Sequence, residues 1–286
     1  MLESYAALIV DLKNSRSYSH EDRNLIHYFI AETIQVLNRI YHDNIVREVD
    51  FSAGDEIQGL FRSPDAAYTY YRILSMLLHP IKTRAGIGVG SWDVQLEHKG
   101  TTGQDGRAYH NARFAIENAD EIEGYPILIY SESPTDMMTN TVIGAAASIT
   151  AKQTVNQNQI MLITELMFPI YSSCTYSLEL NNLHQIPPLL QRKNDFDHRI
   201  EEIAKPLPLD HVTSNTIEVI SPINALEMSE DFSFFITNGK KRGIPTALSK
   251  LLGMRRQTIE KTLKAGNIFT ARNMAIAAIK DMNYIQ

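Results

Sequence analysis

Residues 45–61 can form little other than a β-hairpin, and that hairpin restricts what lies on either side of it. Ile45, Val46, Val49 and Phe51 make one apolar, β-prone run, and Ile57, Leu60 and Phe61 make a second. Between them stands Gly54-Asp55-Glu56, an acidic tight turn. Gly54 permits backbone angles that a side chain would resist, so Asp55 and Glu56 are expected to project from the tip. One carboxylate on a turn means little, because aspartate is a common turn former. However, the run Ala7-Leu8-Ile9-Val10 also finishes in an aspartate, Asp11. If the two strands are neighbours, Asp11 and Asp55 converge. Converging carboxylates repel unless a proton or a cation lies between them. Mg²⁺ is typically held by one or two carboxylates plus substrate phosphates.

The order of the surrounding elements predicts that neighbourhood. Residues 4–10 read as a buried strand, and His20 to Tyr41 as a helix. Leu25, Phe29, Ile30, Ile34 and Leu37 recur there at helical spacing, and Ser19 with Asp22 forms the cap. Ser63-Pro64-Asp65 opens a second helix, buried through Ala67, Tyr70, Tyr71, Leu74, Leu77 and Leu78, and Pro80 ends it. Thr83 to Gly90 alternates small and apolar residues, which suggests a strand that another backbone approaches closely. It is not a dinucleotide fingerprint, since no helix follows Gly90 and its glycines simply alternate. Ala108 to Ala119 is helical, and Pro126 to Tyr130 is a last strand. The first six elements follow the β-α-β-β-α-β plan of ferredoxin-like domains, an antiparallel sheet with helices on one face. In that plan the first strand lies beside the hairpin.

Beyond residue 133 the composition changes, and we expect three parts: a domain over 1–133, a helical connector with an irregular insertion over 134–230, and a third domain over 231–286. Residues 135–170 read as helices. Pro187-Pro188, Pro206 and Pro208 break any long element, leaving a short helix from Asp195 to Ala204 and a strand from Thr216 to Ile220. In the third part, residues 246–263 read as helix, Gly253-centred turn, helix. Leu248, Leu252, Met254 and Ile259 supply a shared core, and Ser249 sits where the helices cross. Arg255, Arg256, Gln257, Lys261 and Lys264 lie on or beside the second helix, suited to a DNA major groove and its phosphates. From Gly239 to Gln286 ten Lys/Arg face two acidic residues, a balance of +8, so the rest of this chain of net charge −6 carries −14. An acidic body excludes non-specific nucleic-acid coating by the whole molecule. The single cysteine, Cys174, rules out an intrachain disulfide and reads as a small buried hydrophobe. With no signal-peptide pattern and no apolar window long enough to span a bilayer, a cytoplasmic location without membrane contact is expected.

Together Ala7–Asp11, Gly54-Asp55-Glu56-Ile57-Gln58-Gly59-Leu60, Gly86-Ile87-Gly88-Val89-Gly90 and Asp105-Gly106-Arg107-Ala108-Tyr109-His110-Asn111-Ala112-Arg113 resemble the SatD family of bacterial proteins. That resemblance covers roughly 1–130 and 231–286 and implies a helix-turn-helix tail. More remotely, the first 130 residues are similar to class III nucleotidyl cyclases, whose palm-like core is shared with diguanylate cyclases and polymerases. The implied fold is α+β: a ferredoxin-like or palm-type N-terminal domain followed by a mostly helical region with a helix-turn-helix. The resemblance implies that Asp11 and Asp55 bind two Mg²⁺ or Mn²⁺ ions and that Arg113 offsets charge on the transferring phosphate. It also implies nucleotide contacts from Gly54, Glu56 and Tyr109, and a homodimer. The expected function is nucleotidyl transfer or cyclisation on a nucleoside triphosphate, coupled to nucleic-acid binding by the tail. Tyr109 and Phe51 stand where the cyclases carry an asparagine and a purine-selecting lysine. That departure defines the alternative, a catalytically inactive nucleotide-sensing, DNA-binding transcriptional regulator.

Overall fold

The spine of the sheet is β1, Tyr5–Leu12, whose side chains alternate between two apolar layers. Ala6, Leu8, Val10 and Leu12 enter one layer, while Ala7 and Ile9 enter the other. The computed structural model describes residues 4–94, 103–119, 124–172, 186–201, 203, 206–209, 212, 216–227 and 235–285. β1 pairs antiparallel on one side with β3 (Glu56–Phe61) and on the other with β4 (Thr83–Gly90). β2 (Ile45–Ala53) lies outside β3, and β5 (Ile127–Tyr130) lies outside β4, giving the order β2-β3-β1-β4-β5. The hairpin therefore does lie beside the first strand.

Two helices, α1 (His20–Ile40) and α2 (Pro64–Leu78), share the layer built on Leu8 and Val10. Ser19 caps α1 by accepting from the Asp22 amide at 3.1 Å. The expectation of helices on one face holds only for these two. A third helix, α3 (Arg107–Asn118), covers the opposite face through Ala108, Tyr109, Ala112 and Ile116, packed on Ala7, Ile9 and Leu60. The sheet is also mixed, because β5 runs parallel to β4. The cause lies in β4. A Cβ at Gly86 or Gly88 would overlap the backbone of Ala112, so only glycine lets α3 rest directly on the strand.

Next come α4 (Asp136–Thr150) and α5 (Val155–Met167), the latter opened by a capping box between Thr154 and Gln157. α6 spans Ile186–Ile200, longer than the segment expected from Asp195. Pro187 and Pro188 open this helix instead of breaking it. In a first turn the missing N–H has no intrahelical acceptor to lose. No strand occupies 216–220. The Ile220 amide donates to the Met167 carbonyl at 2.8 Å, and pairing begins only at two short strands, β6 (Ile170–Tyr171) and β7 (Ile223–Asn224). Cys174 lies outside the described residues.

The chain ends in α7 (Ile244–Leu252), α8 (Arg256–Ala265) and α9 (Ile268–Met282). α9 packs against α4 and α2. Its Arg272 is fully buried, with Nη1 2.7 Å from Glu165 Oε2, close enough for an ion pair though not aligned as a hydrogen bond. The other carboxylate oxygen of Glu165 accepts from Arg72 of α2 at 2.7 Å. Arg272 also donates to the carbonyls of Gly239 at 3.0 Å and Phe168 at 2.6 Å.

Candidate functional site

The register of β1 against β3 runs through Val10↔Ile57, so the next pair in step is Asp11 with Glu56. Both belong to the α3 face. On its other side Asp11 is paired in register with Arg84 of β4, whose Nε and Nη2 both lie 2.9 Å from Asp11 Oδ2. Arg113, on α3, reaches down to the hairpin and forms a two-pronged pair with Glu56, Nη1 to Oε2 at 2.5 Å and Nη2 to Oε1 at 2.9 Å. Ser52 adds a hydroxyl donor to Glu56 Oε1 at 2.8 Å.

These contacts set the charge state of Glu56. Burial pushes its carboxyl pKa up, but the hydrogen bonds from Arg113 and Ser52 outweigh that, and the net shift is downward. Arg113 is raised in turn, first by its hydrogen bond to Glu56, with Glu117 and Asp11 adding Coulombic attraction. Two carboxylates and two guanidinium groups therefore alternate at one end of the sheet, beside the turn that carries Asp55. Gly54 in that turn has φ +63° and open space around it, as a tight acidic turn requires.

Asp11, Glu56 and Arg113 are thus brought together. Arg113 chooses Glu56 across the sheet over Glu117 one turn along its own helix. Tyr109 stays apart from this cluster. Its ring fills the α3–sheet layer beside Leu60, and its hydroxyl is buried without a hydrogen-bond partner. Burial raises that hydroxyl to about 12, with Arg47 the one opposing charge. Arg84 is the member that sequence reasoning missed. Its signal lies in the β1–β4 register, which no local motif announces. His110 pairs with Asp105 at 3.0 Å. At the N-terminal end of α3, Arg107 and Asn111 both bind Glu132.

No group of three His, Cys, Asp or Glu side chains among the described residues could by itself hold a metal ion. Asp11 and Asp55 carry hard carboxylate oxygens, the donor type that Mg²⁺ takes together with phosphate oxygens.

In the tail, α7 and α8 meet around buried Leu248, Leu252 and Ile259, with Gly253 at φ +61° between them. Ser249 donates to the Met254 carbonyl at 2.6 Å and closes the turn. Arg255, Arg256, Gln257, Lys261 and Lys264 are all exposed, and Arg256 pairs with Glu260 at 2.8 Å.

Fold and site together define a mixed α+β protein with a charge-alternating cluster at one sheet end. The chain matches the SatD family over residues 5–187, more than half its length, and belongs to that family. The match takes in α4 and α5 and stops before the tail, so it is drawn differently from the resemblance over 1–130 and 231–286. Among solved structures the chain is weakly similar to "Structure of a bacterial light-regulated adenylyl cyclase", with 14% identity over 45% of this chain and 76% of that one, at a TM-score of 0.34. No curated protein matches it.

Proposed function

We propose that this protein is a metal-dependent nucleotide-binding protein that carries out nucleotidyl transfer or cyclisation on a nucleoside triphosphate. In this reading the N-terminal sheet is a palm-type core, and the α7–α8 pair is a helix-turn-helix that binds DNA. The observation that carries it is the convergence of Asp11, Glu56, Arg84 and Arg113 at the sheet end next to the Gly54-Asp55 turn. A triphosphate entering there meets two guanidinium groups already aimed at oxygen anions. Asp11 and Asp55 would hold Mg²⁺ or Mn²⁺, which supplies charge neutralisation on the phosphates and activation of a hydroxyl. Arg113, exchanging Glu56 for phosphoryl oxygens, would offset the charge that develops in transfer. Glu56, released from Arg113, becomes a carboxylate able to take a proton. A homodimer is part of the proposal.

A second reading, a nucleotide-sensing DNA-binding regulator without turnover, is favoured by Tyr109. This side chain is locked in the helix–sheet layer, so it cannot orient a substrate as a polar residue at that position would.

One experiment separates the readings: pyrophosphate release from each of the four ribonucleoside triphosphates with Mg²⁺ or Mn²⁺, run beside Asp55→Ala. We expect release from the native protein and its loss, by a factor of about a hundred or more, in the variant. Release that survives Asp55→Ala would remove the metal site from the argument. Nucleotide binding without release would establish the sensor.

A further inference from the structure

In the free protein the carboxylates of the candidate site are already matched by the chain's own cations. Along β4 the positions on the α3 face are Gly90, Gly88 and Gly86, in register with Tyr5, Ala7 and Ile9 of β1. Those glycines let α3 rest on the strand, so Arg84 is the first residue on that line to bring a side chain to the face. Its cross-strand neighbour is Asp11. Arg84 Nε donates to Asp11 Oδ2 at 2.9 Å, and Nη2 lies 2.9 Å from the same oxygen. Glu56 is held in the same manner by Arg113. Asp55 differs from both. It has no hydrogen bond or ion pair among the described residues, although its charge is felt at Glu56.

This pairing bears directly on a metal. A dication approaching Asp11 meets a guanidinium whose nitrogens stand 2.9 Å from the carboxylate oxygen. Like charges that close repel. With Asp11 taken, Asp55 is left as one carboxylate with no phosphate beside it, whereas Mg²⁺ keeps its waters unless carboxylates and phosphates act together. The Arg84 side chain is 41% exposed and that of Asp11 22%, so the guanidinium can leave for another anion without crossing the core.

We propose that Arg84 is a built-in cation that blocks the Asp11 end of the metal position, so that divalent metal enters only with a polyphosphate that draws the guanidinium away. The inference rests on the reading that Asp11 and Asp55 hold the metal, and adds that the free site is closed by its own ion pair. Binding of metal and nucleotide is then coupled through Arg84. If the Asp11 carboxylate is free in about one molecule in ten, metal alone binds about tenfold more weakly than to an open site.

The test reads binding, not turnover. Mn²⁺ is titrated calorimetrically into the full chain without nucleotide. Arg84→Met, which removes the competing charge, is expected to bind Mn²⁺ at least about tenfold more tightly than the native protein. Arg84→Lys keeps the charge but loses the fork, and should fall between the two. Adding Asp11→Asn to Arg84→Met should abolish the gain. Equal Mn²⁺ affinity in native protein, Arg84→Met and Arg84→Lys overturns the proposal. Weaker binding in Arg84→Met also overturns it, and would make Arg84 a residue that orients the Asp11 carboxylate for metal. A second titration, with an ATP analogue carrying a methylene group between the α and β phosphates, separates this failure from that of the underlying reading. If the native protein binds the analogue with Mn²⁺ and Asp55→Ala does not, the metal–nucleotide site stands without the Arg84 block. If Mn²⁺ binds to no variant, with or without the analogue, both fall.

Discussion

His79 shows what burial does to a single titratable group. Its pKa falls to about 4, first through burial, then through the nearby Lys193 charge, against the hydrogen bond to Gln153. Lys193 is itself fully buried. It is paired with Asp197 at 2.9 Å and donates to the backbone carbonyl of His79. The folded state therefore holds the imidazole neutral. The sign follows from proton uptake: between the unfolded value of 6.5 and about 4, the unfolded chain binds the proton and the folded one does not. Stability contributed by neutral His79 is complete above pH 6.5 and is lost as pH falls through about 4. The full span corresponds to up to about 3 kcal/mol. His79→Gln keeps a donor for the Gln153 carbonyl but cannot titrate. The stability difference between native protein and variant, from urea unfolding at pH 7 and pH 4, should shrink by roughly that amount. An unchanged difference would mean that His79 titrates in the folded protein as it does in the unfolded chain, at its ordinary value of 6.5.

At the scale of elements, the approach of α3 to β4 governs the candidate site, since it sets how far Arg113 reaches toward Glu56. Glycine at 86 and 88 brings the helix backbone into contact with the strand. Gly88→Val would drive a branched side chain into the backbone of Ala112, where no rotamer change relieves it. The expected cost is about 3 kcal/mol or more. A milder loss of arginine positioning should appear in nucleotide binding even where the variant folds. Retention of native stability would show that α3 is free to ride up. The alternating glycines made this approach legible from sequence, as apolar runs did for β1, the hairpin, α1 and α2. The second covered face was not legible, because a glycine strand announces close approach without naming the partner. Element order places β1 beside the hairpin and so predicts Asp11 near Asp55, but the residue it could not single out is Glu56, which the register sets in step with Asp11. The Arg84–Asp11 pair needed the exact register of strands 73 residues apart, which local pattern does not carry. Pro187-Pro188 misled because the same residues that stop a helix interior also start a helix.

For the whole molecule, the decisive contact is the buried triad of Arg72, Glu165 and Arg272, which joins α2, α5 and α9. Glu165 stays ionised although burial, the largest effect, opposes it. The two guanidinium groups outweigh that and keep its pKa low. Two cations on one anion leave the triad in excess positive charge, so removing the carboxylate strands both arginines. Breaking a buried pair from one side costs about 3–5 kcal/mol. Glu165→Gln, nearly equal in volume, should therefore lower the melting temperature by about 10 °C. Glu165→Gln/Arg272→Met should recover part of the loss by removing one uncompensated cation. The pattern of unfolding also tests the three-part division expected from sequence. Because α9 contributes a triad member and packs on α4 and α2, calorimetry of the native chain should give one transition that Glu165→Gln moves as a unit. Two transitions, of which only one shifts, would mean that residues 231–286 fold on their own. The tail would then be a tethered module. With a single transition, any ligand that stabilises the N-terminal sheet also stabilises the helices carrying Arg255 and Lys261. Nucleotide occupancy and DNA contact would then be linked through one folding equilibrium.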